Sequence, residues 1–365
     1  MQSKQAFGVI ELCCTMLLFL LGSAIVLGVG LEARKYAWLA ILLAGMIGTL
    51  LFGMYVYIWK HNHYGSLGFI LKQQFGKYLG LVLAIIYALY FSFIASRVLI
   101  DFTQFISNSL LYNMNPFYIK VSILLLVLYT YSKGIEPFIR SAILFGFVTL
   151  LFIIAMFAFI LLSDLFHLEY MKPMLPVPFA NIRKAVFPLL ITLPFGELIV
   201  FFTLLPYVIE KRAVWKGGSV VILVSTVILS FSAFLTISVL HPDLAWQHIF
   251  PLVKAIERVH VLNYIQRLDL IAVIIFIIGG FFKIFVFAFG SIRVMQECLP
   301  RVKPGILATI GLSLIMGGSY FMSNNPPQHL KLGLEIVPPF VHVPLQIVVP
   351  MLLFVITAVR ARLAK

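Results

Sequence analysis

Charged residues are scarce in this sequence. Only 11% of its 365 residues are charged and only 13 are acidic, whereas 62% are hydrophobic. A soluble domain of this length needs far more charge to cover its surface. Apolar runs of transmembrane length follow one another with short polar connections, none long enough to fold separately. We therefore predict a single membrane domain over residues 1–365.

Cysteines and catalytic motifs are also scarce. Of the three cysteines, Cys13 and Cys14 lie within an apolar run and Cys298 lies beside a basic loop, which argues against a disulfide framework. Phosphate-binding, dinucleotide-binding, nucleophile-elbow and zinc-protease motifs are absent from the sequence. Histidines two residues apart, as in His61-Asn62-His63, rarely bind a metal without further ligands. We predict no enzyme activity, no cofactor and no metal site.

The net charge of +14 does not indicate a nucleic-acid-binding protein. The basic residues form no stripe and cluster at the ends of the apolar runs, where lysine and arginine anchor membrane helices. Membrane lipid, and not nucleic acid, is the expected partner of these charges.

About ten membrane spans are predicted, which makes the fold all-α and integral to the membrane. More lysines and arginines fall on the side of the membrane that holds the N-terminus than on the opposite side. Cytoplasmic segments are enriched in these residues, so both termini are predicted to lie in the cytoplasm. The first apolar run is too long for a signal peptide and is expected to be retained. The predicted spans are 7–30, 36–60, 79–107, 117–132, 137–162, 185–209, 218–240, 268–296, 304–322 and 337–359.

The first and sixth spans contain residues that interrupt helices. Gly22, Ser23 and Ala24 lie in the first span, and Pro194, Phe195 and Gly196 lie in the sixth. Freed backbone groups are tolerated in a bilayer only where they face protein or a wet cavity. The alternative is that these residues form ordinary packing contacts or kinks, which are common in membrane helices.

Their positions are equivalent if the chain consists of two five-helix halves, about 7–162 and 185–359. An odd number of helices per half inverts the second half, so the pattern predicts inverted repeats with a ligand-binding site between the two breaks. Those six residues, together with Glu197, are the candidate ligand-binding residues.

Two ionisable residues lie near the middle of spans, where charge is expensive. Glu197 follows the break in the sixth span, and is either a site residue or a protonated acid bonded to a neighbouring carbonyl. Lys283 follows Gly279 and Gly280, which permit close helix approach in the eighth span. It is either a tethered cation or proton carrier, or the partner of a carboxylate.

Arg97 and Asp101 lie four residues apart in the third span and therefore share a helix face. Mutual neutralisation is one interpretation, and a gate or water path is the other. With Lys283, they are the candidate residues for ion or proton coupling.

The combination of these features resembles the spore germination permease family. The resemblance rests on Pro194-Phe195-Gly196-Glu197, Pro206-Tyr207, Arg267-Leu268-Asp269, Gly279-Gly280 and Lys283, and on the length and ten-span layout of the chain. This family comprises the B subunits of nutrient germinant receptors and belongs to the amino acid–polyamine–organocation superfamily. Membership implies a sodium-symporter-like fold with broken helices one and six.

The resemblance also implies a function. It predicts a sensor of a small nutrient, an amino acid by analogy with the superfamily, in the bacterial spore inner membrane. The expected partners are a larger A-type membrane subunit and a C-type lipoprotein subunit. A proton-coupled amino acid transporter is the alternative hypothesis. A membrane enzyme would need catalytic groups converging at one depth, and none is recognisable in the sequence.

Overall fold

A computed structural model describes residues 6–172, 179–259, 268–322, 329 and 331–363. The described chain is helical, with one isolated bridge between Phe7 and Val208. The α-helices are α1 (Val9–Leu21), α2 (Ala24–Leu27), α3 (Ala37–His61), α4 (Leu67–Phe75), α5 (Lys77–Ser109), α6 (Pro116–Lys133), α7 (Ile135–Leu161), α8 (Phe179–Lys184), α9 (Val214–Leu240), α10 (Pro242–Gln247), α11 (Pro251–Glu257), α12 (Asp269–Cys298), α13 (Pro304–Phe321) and α14 (Val349–Leu363).

Nine helical stretches of the described chain are long and apolar enough to cross a membrane. They are Val9–Leu27, Leu31–His61, Lys77–Ser109, Ile135–Leu161, Phe179–Thr203, Lys211–Leu240, Asp269–Cys298, Pro304–Phe321 and Pro338–Leu363. They correspond to nine of the ten predicted spans. The protein is therefore an integral membrane protein.

The predicted fourth span, 117–132, is present as the 18-residue helix α6 but is not among the nine. Three tyrosines, two lysines and two serines reduce its mean hydropathy. A ten-span layout and its arrangement as inverted repeats stay predictions.

The first span is interrupted at Gly22 and Ser23, between α1 and α2. It ends at Gly28, whose backbone is left-handed at φ 61°. Glycine adopts this conformation without the steric cost of a side chain. The interruption lies within the segment in which the sequence predicted a break.

The sixth span departs from regular helix around its prolines. A π-helical segment, Ala185–Phe195, precedes a 3-10 segment, Gly196–Thr203, and Leu193 is extended at φ −122° and ψ 113°. The ring of Pro194 disfavours a helical conformation at the preceding residue. The break is therefore centred one residue before the predicted Pro194-Phe195-Gly196.

The two long helices α12 and α5 pack extensively against each other. α12 also contacts α1 and α7, and α3 packs along α9. Large apolar side chains are exposed on outer helices, as with Leu144, Phe147 and Ile154 of α7. Such a surface suits contact with lipid and would be unfavourable in water.

The start of the chain is joined to the end of the sixth span. The Phe7 amide donates to the Tyr207 carbonyl at 3.2 Å, and the Ile209 amide donates to the Phe7 carbonyl at 3.0 Å. The Val9 amide donates to the Glu210 carboxylate at 2.9 Å. These bonds fix the entry of α1 beside the sixth span.

The cytoplasmic placement of both termini stays a prediction, and residues 1–5, 364–365 and Arg267 lie outside the described residues.

Candidate functional site

Glu197 and Lys283 form a fully buried ion pair. The Lys283 Nζ lies 2.6 Å from the Glu197 Oε2, and the two side chains are 0% and 2% exposed. Nζ also donates to the Ser23 hydroxyl at 3.2 Å and lies 5.3 Å from the centre of the Phe19 ring. One ammonium group thus connects the break in the first span, the break in the sixth span and α12.

The contact between Gly22 and Gly279 explains why Lys283 reaches this position. A Cβ atom on either glycine would overlap the backbone of the other, so α1 and α12 approach closely here. Lys283 lies one helical turn after Gly279 on the same face of α12. Its ammonium group is therefore directed at Ser23, the residue that follows Gly22. The predicted role of Gly279 in close helix approach is confirmed.

The ion pair offsets an energetic cost that either group would incur alone. Removing a charge from water costs several kcal/mol, and only a close opposite charge with good hydrogen bonding compensates for it. Of the two interpretations of Lys283 made from the sequence, the geometry shows carboxylate pairing. A buried ammonium–carboxylate pair can also respond to another charged group that enters its surroundings.

A second polar network surrounds the carbonyl of Gly196. The Tyr55 hydroxyl lies 3.3 Å from this carbonyl and 2.5 Å from the Gln346 carbonyl. The side-chain amide of Gln346 donates to the Tyr90 hydroxyl at 2.7 Å. The same hydroxyl is hydrogen-bonded to His342 Nδ1, also at 2.7 Å. All of these side chains are buried. The network links the sixth-span break to α3, α5 and the last span.

The four side chains of this network were not predicted from the sequence to be site residues. They are Tyr55, Tyr90, His342 and Gln346. Their signal is present but weak, since His342 and Gln346 are polar residues four apart in an otherwise apolar span. Polar groups at matching depths on separate spans could have been paired only with knowledge of which spans are neighbours.

Arg97 and Asp101 line a cavity of about 400 Å³ that Gly28, at the end of the first span, and Leu193, in the sixth-span break, also line. The cavity volume is within the usual range for small-molecule sites, roughly 300–1,000 Å³. Its other ionisable lining residues are Glu32, His248, Lys331 and Glu335. The remaining lining comes from 27–31 in and after the first span, Leu189 before the sixth-span break, Leu193 at that break, 245–246, Ile249 and 333–334.

The Asp101 carboxylate lies within hydrogen-bond distance of His329 Nε2, at 3.1 Å. Arg97 interacts electrostatically with Asp101 and with Glu197, and its guanidinium lies directly against Gly333. Neutralisation of Arg97 by Asp101 stays a prediction, and His329 is a partner of Asp101 that was not predicted from the sequence. Arg97 therefore connects the cavity that it lines with the electrostatics of the Glu197–Lys283 pair.

The other predicted site residues have packing roles in the structure. Phe195 lies against Gly48 of α3, and Gly22 lies against Gly279. Pro194 and Ala24 are buried. The structure therefore brings Ser23, Glu197 and Lys283 into one contact, and it places Arg97 and Asp101 on the wall of the adjacent cavity.

Comparison with known proteins shows which family the chain belongs to. The family model described as "Spore germination protein" matches residues 8–326. The chain is also 31% identical over 356 residues to the spore germination protein KB of Bacillus subtilis (strain 168), covering 97% of this chain and 95% of that protein. The match includes both interrupted spans, the Glu197–Lys283 pair and most of the cavity wall. The chain belongs to the spore germination permease family.

Proposed function

We propose that this protein is the nutrient-sensing membrane subunit of a spore germinant receptor, and that its nutrient is an amino acid. The observation that carries the proposal is the buried contact of Lys283 with Glu197 and Ser23, which joins both interrupted spans. A ligand that changes this contact would act on both halves of the scaffold at once.

The cavity that Arg97 and Asp101 line has the charges that an amino acid requires. The Arg97 guanidinium is suited to a carboxylate, with which arginine forms strong charge-assisted hydrogen bonds. Glu32 and Glu335, on the same wall, are suited to an ammonium group. A zwitterion of moderate size therefore matches both the charge and the volume of the cavity.

Binding would alter the electrostatics of the buried pair through Arg97. Arg97 interacts with Glu197, so a ligand carboxylate on Arg97 reduces the positive potential at the pair. If the protein has two conformations that differ at the breaks, the ligand favours the one to which it binds more tightly. The change would pass to an A-type membrane subunit and a C-type lipoprotein subunit in the spore inner membrane.

The test is the germinant response of spores that carry Glu197→Gln in this protein. We expect the concentration for half-maximal germination to rise at least roughly tenfold, equivalent to ~1.4 kcal/mol of binding free energy. Glu257→Gln is the matched control, because Glu257 is exposed and, within the described part of the chain, pairs with Lys254 of the same helix, α11. An unchanged response in Glu197→Gln spores, at normal protein level by immunoblot, would contradict the proposal.

Proton-coupled amino acid transport is the second candidate, since a buried ammonium–carboxylate pair can exchange a proton as it opens. Liposomes containing the isolated chain distinguish the two functions. Accumulation of an amino acid driven by a proton gradient supports transport, whereas saturable binding without accumulation supports sensing.

A further inference from the structure

A lateral groove of about 590 Å³ lies between α6, α7 and α12. Neither Glu197 nor Lys283 lines it, and it shares no lining residue with the cavity that Arg97 lines. Aromatic and aliphatic side chains form its floor, including Phe138, which stacks against Phe282 and Phe285 with ring centres 4.5 and 3.9 Å apart. The hydroxyls of Thr130 and Ser141 donate to carbonyls of their own helices. Those two hydroxyls therefore need no further partner, which leaves the wall beside them apolar.

The groove follows one face of α6 from Ser122 to Lys133. Eleven residues of helix correspond to about 16 Å. Half of a bilayer hydrocarbon core is about 15 Å thick. The groove is therefore as long as one leaflet is deep, and an acyl chain can lie along it from the headgroup level to the bilayer centre.

A positive charge marks one end of the groove. Lys133 and Gly134 form the turn between α6 and α7 and line the groove. Lys133 is exposed, and its ammonium lies 5.2 Å from the centre of the Tyr129 ring, which also lines the groove.

The same turn borders a recess of about 1060 Å³ whose lining includes Arg293 and Gln296. Basic residues at the headgroup level attract anionic lipids. The charged end of the groove therefore favours a lipid with a negative headgroup.

We propose that this groove is a binding site for an anionic phospholipid, with an acyl chain between α6, α7 and α12 and the headgroup phosphate at Lys133. The lipid would fill the groove between these three helices. Its affinity should depend on the length of the acyl chain, which lies in the groove, and on the charge of the headgroup, which faces Lys133.

The test uses the purified full-length chain in nanodiscs of equimolar phosphatidylglycerol and phosphatidylcholine, released for native mass spectrometry. We expect retained phosphatidylglycerol in preference to phosphatidylcholine. Ser122→Trp fills the groove and should reduce retention roughly tenfold, the effect of displacing about two methylene groups. Leu125→Trp is the control, because Leu125 is exposed on the same helix and does not line the groove.

Lys133→Gln tests the headgroup contact, because it removes the charge at one end of the groove without filling the apolar part. It should reduce the preference for phosphatidylglycerol roughly fivefold, whereas Lys60→Gln, at an exposed lysine outside the groove, should leave it unchanged. Equal retention by the Ser122→Trp and Leu125→Trp proteins, or no preference between the two lipids, would overturn the proposal. So would a photo-crosslinker at position 122 that labels a protein and not a lipid in native membranes.

Discussion

The ammonium of Lys283 lies 2.6 Å from the carboxylate of Glu197 in a part of the protein that solvent does not reach. The two residues belong to different spans, and each lies at a point where the backbone is distorted or closely packed. Their contact holds α12 against both interrupted spans.

The first prediction concerns the stability of this pair. Glu197→Gln or Lys283→Met alone leaves one buried charge without compensation, which should lower the free energy of unfolding by about 3–5 kcal/mol. The double variant Glu197→Gln, Lys283→Met removes both charges and should be more stable than either single variant. Thermal unfolding in detergent measures the order of the three. The exposed Lys254–Glu257 pair is the control, for which Glu257→Gln should cost at most about 1 kcal/mol.

A second prediction concerns the close approach of α1 and α12. Gly279→Ala places a methyl group against the backbone of Gly22 and should cost about 1–3 kcal/mol, because neither backbone can move freely. Gly317→Ala on α13 is the matched control, since a Cβ there meets no atom within 4 Å. Size-exclusion profiles after heating should show earlier loss of the Gly279→Ala protein only. Equal profiles for the two variants would contradict the close contact.

A third prediction concerns the carbonyl of Gly196. Tyr55→Phe removes the hydroxyl that contacts this carbonyl and the backbone carbonyl of Gln346. The loss of a buried hydrogen bond should lower the free energy of unfolding by about 0.5–1.5 kcal/mol. Tyr57→Phe on the same helix is the control, because the Tyr57 ring stacks on His61 near the helix end. Hydrogen exchange around residues 193–197 should increase in Tyr55→Phe and not in Tyr57→Phe.

A fourth prediction concerns recognition of the ligand carboxylate. Arg97→Gln should weaken the response to an amino acid by roughly 10–100-fold, the range expected when a charge-assisted hydrogen bond is lost. Arg140→Gln is the control, since Arg140 is exposed and pairs with Glu136 on α7. The dose dependence of germination measures the difference. An Arg97→Gln protein with the response of the Arg140→Gln control would exclude Arg97 from the binding site.

The sequence indicated the interrupted segments and the intramembrane charges, but it did not indicate which of these residues contact one another. Gly22-Ser23 and Pro194 were identifiable because glycine and proline alter the backbone locally, whatever surrounds them. Glu197 and Lys283 were identifiable because an intramembrane charge needs a reason. Their pairing with each other was not predictable, since it depends on how α12 crosses two other spans.

Residues whose roles are set by neighbours were missed for the same reason. His329 pairs with Asp101 across 228 positions of sequence, and Tyr90 joins Gln346 across 256. The helical period relates Asp101 to Arg97 but carries no information about a distant histidine. The predicted fourth span shows a limit of composition as evidence for a membrane span. α6 forms a helix, but its composition is only marginally apolar.

The most direct test of the account is equilibrium binding of individual L-amino acids to the purified full-length chain, compared among wild type, Glu197→Gln and Glu257→Gln. We expect saturable binding of at least one amino acid to the wild type and to Glu257→Gln. The affinity of Glu197→Gln for the same amino acid should be at least roughly tenfold weaker. Binding of equal strength to all three proteins, or no binding of any amino acid to the wild type, would contradict a sensing site built on Glu197 and Lys283.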